Sequence, residues 1–198
     1  MRIILFILIV SLLFSCSEGT VEIQNLDDKL DKFIYKSELI CDNSGNPING
    51  KVYSVYESGS LKSKVRITNG IPTGVFTTYF ENGSVKNTKE FYKGKLCCKE
   101  ESFFENGKLE GFANYNQNGF LDGEFMSYFE NGLMKSRGYF KNGKQHSVWE
   151  DFHENGVLRK KELFVDGKNV GEVEHFDLNG NKTNLVEMLN DKINSMRN

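Results

Sequence analysis

Residues 123–143 read Gly-Glu-Phe-Met-Ser-Tyr-Phe-Glu-Asn-Gly and then Leu-Met-Lys-Ser-Arg-Gly-Tyr-Phe-Lys-Asn-Gly. Two short aromatic-rich runs are separated by Asn131-Gly132 and closed by Asn142-Gly143. Asn-Gly between such runs is a strong hairpin signal, because a type I′ turn needs positive φ at both central residues. The stretch predicts one β-hairpin, with the second Asn-Gly leading into the next. A helix is excluded, since Asn and Gly interrupt any 3.6-residue period.

The same pattern runs along most of the chain. Glu-Asn-Gly recurs at 81–83, 105–107, 130–132 and 154–156, and the glycines fall into three registers. The first holds Gly50, Gly74, Gly123 and Gly171, with Cys98 and Ser147 in the intervening slots. The second is Gly59, Gly83, Gly107, Gly132, Gly156 and Gly180, read as structural turn glycines. The third is Gly70, Gly94, Gly119, Gly143 and Gly167. Every step is 24 residues except one of 25, an insertion between Gly107 and Gly119.

Counted from the first-register slot, position two is Val52, Phe76, Glu100, Phe125, Trp149 and Val173. Position five is Val55, Tyr79, Phe103, Tyr128, Phe152 and Phe176; position six is Tyr56, Phe80, Phe104, Phe129, His153 and Asp177. Alternation on a strand puts positions two and six on one face and five on the other, so like side chains stack in rows across neighbouring hairpins. The expected fold is all-β: an elongated single-layer antiparallel sheet of about six serial hairpins. Phe33–Cys41, before Gly45, resembles a leading half-unit that covers one edge. Leu185, Met188, Leu189, Ile193 and Met196 lie on one helical face behind the N-cap pair Asn184 and Glu187, predicting a capping helix at the other edge; a frayed tail is the alternative.

Met1–Cys16 has one basic residue, an apolar run and a Ser before Cys16, after which the chain turns polar. The run is shorter than the ~20 residues of a membrane span and has the form of a secretory signal. Leu13-Phe14-Ser15-Cys16 resembles a bacterial lipobox, although Phe14 is larger than the residue usual there. The resemblance implies lipidation of Cys16 and anchoring to a bacterial cell envelope; an ordinary signal peptide or an uncleaved anchor are the alternatives. Ser17, where Asp favours inner-membrane retention, points to the outer membrane. The expected organisation is a signal peptide over 1–15, a lipid-anchored tether over 16–31, the array over 32–182 and the helix over 183–198.

The units also resemble the bacterial variant of the MORN repeat, carried by Gly74…Tyr79-Phe80-Glu81-Asn82-Gly83-Ser84-Val85-Lys86 and Gly123…Tyr128-Phe129-Glu130-Asn131-Gly132. Proteins of this type often carry a YwqK-like antitoxin label, and MORN arrays in general are taken as binding or scaffolding modules. Cys98, Ser147 and Glu100 depart from the pattern, and unit three is the most irregular. A neutraliser of a cytosolic toxin has no use for export, whereas an immunity lipoprotein would.

Composition narrows the chemistry. With 25 basic and 27 acidic residues among 198, the formal charge of -2 removes the electrostatic basis for nucleic-acid binding. The aromatic fraction of 13% argues against disorder. No metalloprotease, Cys-x-x-Cys, nucleophile-elbow or P-loop string occurs. His146, His153 and His175 fall in different units or registers, and Glu81, Glu105, Glu130 and Glu154 repeat one turn-flanking place. No enzyme, metal or cofactor is expected. Cys41, Cys97 and Cys98 are read as free or half-buried thiols, a vicinal Cys97–Cys98 bridge being possible but strained. The candidate binding face is Tyr56, Phe80, Phe104, Phe129, Trp149 and His153. Lys62, Lys86, Lys135 and Arg159 form a candidate basic stripe: either a solvated face with cross-strand acidic partners, or a ladder for an acidic partner, anionic lipid or polysaccharide. The functional expectation is a monomeric, non-catalytic binding or scaffold module with an unknown protein partner, or else an antitoxin or immunity-type inhibitor.

Overall fold

A computed structural model describes residues 20–22, 39–42, 44–183 and 193. The described chain is all-β. Strands β1 (Thr20–Glu22), β2 (Gly50–Val55), β3 (Leu61–Thr68), β4 (Ile71–Tyr79), β5 (Val85–Tyr92), β6 (Lys95–Phe103) and β7 (Leu109–Tyr115) are followed by β8 (Leu121–Tyr128), β9 (Met134–Lys141), β10 (Lys144–Phe152), β11 (Leu158–Val165), β12 (Lys168–Asn169), β13 (Glu174–Phe176) and β14 (Lys182–Thr183). They form one open sheet in chain order, with β12 alone off the path and paired to β11. From β2 onwards every pairing is antiparallel, as serial hairpins require.

The hairpins use two turns, and the type I′ turn is not at Glu-Asn-Gly. There only glycine has positive φ, 82–89° at Gly59, Gly83, Gly107, Gly132, Gly156 and Gly180. In each, the position-six carbonyl accepts from the glycine N–H, and the position-six N–H donates to the residue after glycine, as in Phe129 N to Leu133 O at 2.8 Å. This is a type I turn closed by a left-handed glycine, with a bulge in the adjoining ladder. Type I′ turns lie at the opposite ends of the strands. Asn69-Gly70, Lys93-Gly94, Asn142-Gly143 and Asp166-Gly167 have positive φ at both residues. The 25-residue step is absorbed in the β7–β8 turn: Asn116 N donates to Phe120 O, so the added residue converts a two-residue loop into the glycine-closed form.

The first-register slot is also explained. After the turn that precedes the slot the incoming strand carries more residues than its partner: 74–76 face Val65 alone, 122–124 face Asn114 alone, and 147–149 face Gly138 alone. The slot residue makes this bulge with a left-handed backbone, +71° at Gly74 and +118° at Gly123, and Cys98 and Ser147 adopt it too, at +65° and +66°. At Gly171 the left-handed conformation is absent and the strand is split into β12 and β13.

Buried apolar side chains cluster at one end. Ile40, Ile48, Val52, Val65, Ile67, Phe76 and Phe91 form the core, with Leu96 packed against it. Full burial of each contributes about 1.5–3 kcal/mol. The leading segment is tied to the β3–β4 turn: Ile40 N donates to Gly70 O, Gly70 N to Ile48 O and Ile48 N to Ile40 O. A side chain at Gly70 would meet Leu39 Cβ at 3.0 Å and Ile40 O at 3.1 Å, so this turn needs glycine for space as well as for φ.

Two expectations concern the edges. Strand β1 pairs in parallel with β2, Val21 opposite Val52, so the sheet begins inside the segment read as a tether. No capping helix is seen: its segment lies outside the described residues except Thr183 in β14 and Ile193, which has helical backbone and is about half exposed. Cys16, the signal peptide and Phe33 also lie outside the described residues.

Candidate interaction surface

Pairing register and ring contacts define one face as two interleaved rows. Position two supplies Val52, Phe76, Glu100, Phe125 and Trp149; opposite the bulge slots stand Ile67, Phe91, Tyr115, Phe140 and Phe164. In units four and five the rows close into a ladder. Phe125 stacks on Trp149 at 5.4 Å, Phe140 meets their edges at 5.9 and 5.0 Å, and Phe164 follows at 6.4 Å. Such pairs add about 0.5–1.5 kcal/mol each beyond burial. Trp149 lies over Gly138, where any Cβ would strike its ring, and donates through Nε1 to Tyr139 O at 3.2 Å.

Each bulge sets one side chain across from a position-two residue of the next unit: Val65 with Phe76, Lys89 with Glu100, Ala113 with Phe125, Gly138 with Trp149. Small partners accompany large rings, so volume is shared between the two. Unit three breaks the apolar run with charge and repairs it locally. Glu100 accepts from Tyr115 Oη at 2.8 Å and Asn87 Nδ2 at 3.2 Å, and pairs with Lys89 Nζ at 3.5 Å. Tyr115 stands where other units have Ile or Phe, and supplies the hydroxyl that Glu100 needs.

Beside these rows runs a line of small or polar side chains, Ser54, Thr78, Ser102, Ser127 and Asp151. Ser54 and Ser63 are buried and share a 2.7 Å hydrogen bond. Further along, Ser136 Oγ donates to Asp151 Oδ1 at 2.7 Å. Lys160 sits between Glu162 (2.6 Å) and Asp151 (3.5 Å), and the Glu162 carboxylate, opposed by burial, holds its pKa above the usual lysine range. The small side chains leave two hollows on this face. One of about 360 Å³ lies among Glu100, Tyr115, Phe125 and Phe140, with Ser102, Gly111 and Ala113 in its floor. The other, of about 280 Å³, lies among Phe129, Lys135, Ser136, His153 and Arg159.

The residues singled out from sequence occupy the turn end of this surface. Tyr56, Phe80, Phe104, Phe129 and His153 are half-buried at the start of the glycine-closed turns, while Trp149 belongs to the ladder. Tyr56 Oη donates to Tyr79 O at 2.6 Å and His153 Nε2 meets Phe176 O at 3.0 Å, each reaching the next unit. In the basic stripe, Lys86 and Lys135 lie over the Phe80 and Phe129 rings at 5.6 and 5.9 Å, and Arg159 reaches Asp151 at 3.4 Å. Lys62 is half-buried. The six turn glycines all take the left-handed conformation.

Sequence reasoning gave the turn asparagines a dihedral role; the structure gives them a connecting one. Asn131 Oδ1 accepts from Leu133 N at 2.8 Å, and its Nδ2 donates to Glu154 O of the next unit at 2.9 Å. Asn155 repeats this towards Leu178 O, and Asn106 reaches Glu130 Oε1. The available signal was that Asn recurs where a type I turn does not demand it. Among the described residues no group of three His, Cys, Asp or Glu side chains is placed to hold a metal ion, and no helix is long and apolar enough to cross a membrane.

These features define a solenoid-like array of β-hairpins joined by turn hydrogen bonds and stacked side-chain rows. Three stretches, residues 72–93, 121–142 and 145–166, match the family model described as MORN repeat variant. Each stretch covers one hairpin, β4–β5, β8–β9 or β10–β11, to within a residue at its start, and ends on the first residue of the type I′ turn. No curated protein matches the chain.

Proposed function

We propose that this chain is a non-catalytic binding module, displayed on a bacterial cell envelope through a lipidated Cys16 and engaging a protein partner with the ladder face of units three to five. The carrying observation is that this face presents half-buried aromatic side chains in successive units, with hollows between them. Repetition presents an extended surface rather than unlike groups converging on one reacting atom. In this reading the protein is monomeric and uses no metal, cofactor or nucleic acid. Lipidation of Cys16 would leave only residues 17–19 before β1, a reach of about 10–13 Å. The first edge of the sheet would then stand close to an outer membrane.

The test is proximity crosslinking in cells with wild type, a Cys16→Ser chain, and a chain with Lys62, Lys86, Lys135 and Arg159 all replaced by Glu. The expectation is a defined partner set for wild type, loss of membrane association and lipid labelling for Cys16→Ser, and weakened capture for the charge-reversed chain. A Cys16→Ser chain that behaves like wild type sinks the lipoprotein reading. Unchanged capture on charge reversal removes the stripe from the surface. A toxin as sole partner converts the module into an immunity-type inhibitor.

A further inference from the structure

Cys97 and Cys98 are adjacent in β6, and adjacent strand residues normally send their side chains to opposite faces. Here their Sγ atoms lie 2.7 Å apart. The cause is the bulge slot: Cys98 occupies it with φ +65°, and the left-handed backbone turns its side chain back towards its neighbour. A non-glycine residue held there is strained, and strain of this kind gathers at functional sites. Both thiols are free; Cys97 is buried at 2% exposure and Cys98 is exposed.

We propose that Cys97 and Cys98 form a redox-active dithiol that closes reversibly into a vicinal disulfide by exchange with a small-molecule disulfide. The Cys98 thiolate attacks one sulfur of the disulfide, forming a mixed disulfide and releasing one thiolate, which takes up the proton lost from Cys98. Cys97 then loses its proton and attacks Cys98 Sγ, expelling the second small thiol. Two protein thiols are oxidised and one small disulfide is reduced to two thiols. Burial, helped by the neighbouring Cys98 thiol, pushes the Cys97 thiol up to about 12. Cys98 is therefore the entry point and Cys97 the resolving group, and ring closure speeds up as rising pH increases the thiolate fraction of buried Cys97.

Reduced full-length protein is incubated with oxidised glutathione, quenched with acid, alkylated under denaturing conditions and peptide-mapped. The expected result is a peptide that has lost two hydrogens, with Cys97 and Cys98 blocked, Cys41 still alkylated, and full reversal by dithiothreitol. Cys97→Ser accumulates a stable glutathione adduct on Cys98. Cys98→Gly, which restores the slot's usual residue and keeps the fold, forms no internal bridge. Full alkylation of both thiols after oxidant, or a bridge to Cys41, overturns the proposal.

Discussion

Units one and two and units four and five share one hairpin plan and differ in what becomes of the same face. In the first pair Val52, Val65, Ile67, Phe76 and Phe91 are all under 5% exposed, and even Ser63 is sealed. In the second, Phe125, Phe140, Trp149 and Phe164 hold equivalent places half-buried, in ring contact with one another. The lesson is that a repeat specifies strands and turns, whereas burial depends on what the rest of the chain lays over each copy. Volume is redistributed to match: Val65 with Phe76 at the sealed end becomes Gly138 with Trp149 at the open end.

The largest effects break this contrast at the core. Ile67→Ala is expected to cost about 2–5 kcal/mol in urea unfolding, and Phe164→Ala, at the last rung of the ladder, about 1–2 kcal/mol. Equal losses would erase the distinction between the ends. Gly138→Val is expected to cost about 1–3 kcal/mol by overpacking and to displace Trp149, shifting its fluorescence to the red. Adding Trp149→Phe rebuilds the Val65–Phe76 pair and recovers most of that loss; additivity of the two changes would refute the shared-volume account.

Smaller effects sharpen it. Asn131→Ala removes the link to Glu154 and costs about 0.5–1.5 kcal/mol, seen as faster hydrogen exchange at Leu133, whereas Ser58→Ala in unit one, whose side chain bonds only Ser60 within its own turn, costs less. Ser147→Gly is expected to gain about 0.5–1 kcal/mol by relieving the left-handed backbone, less the entropy that glycine loses on folding. The smallest effect is acid sensitivity at both extremes. Asp42 is held below the usual carboxylate range chiefly by the Asn46 N–H, and Asp177 by the Asn181 side chain and N–H. Their contribution is present above the ordinary Asp value of about 3.9 and is lost as pH falls through the lower folded values, loosening both end turns. Carboxyl NMR titration with midpoints at or above that value would refute it.

Much of this fold was legible because turn residues have local causes. Left-handed backbone favours Gly, Asn and Asp, so the registers marked the hairpin turns from Gly59 to Gly180 without tertiary information. The type I′ expectation fell on Glu-Asn-Gly because Asn-Gly satisfies both turns: in Glu-Asn-Gly the asparagine serves a type I turn and a neighbour's carbonyl, while in Asn142-Gly143 it supplies positive φ. The irregular third unit was visible at Cys98 and Glu100, but not its remedy, since Tyr115 and Lys89 reach Glu100 only through strand pairing. Asp177, which stands where the first four units place an aromatic ring, keeps the turn by capping it, as Asp42 does before unit one.

By itself the sequence determined the period, the strand order and the rows, because each follows from alternation and from backbone conformations that few residues tolerate. Only the tertiary structure decided which rows are sealed, that β1 joins the sheet in parallel, that bulges pair small residues with large rings, and that two adjacent cysteines meet. Those outcomes depend on contacts between residues of different strands, or on a backbone twist set by the partner strand, and no local pattern encodes them.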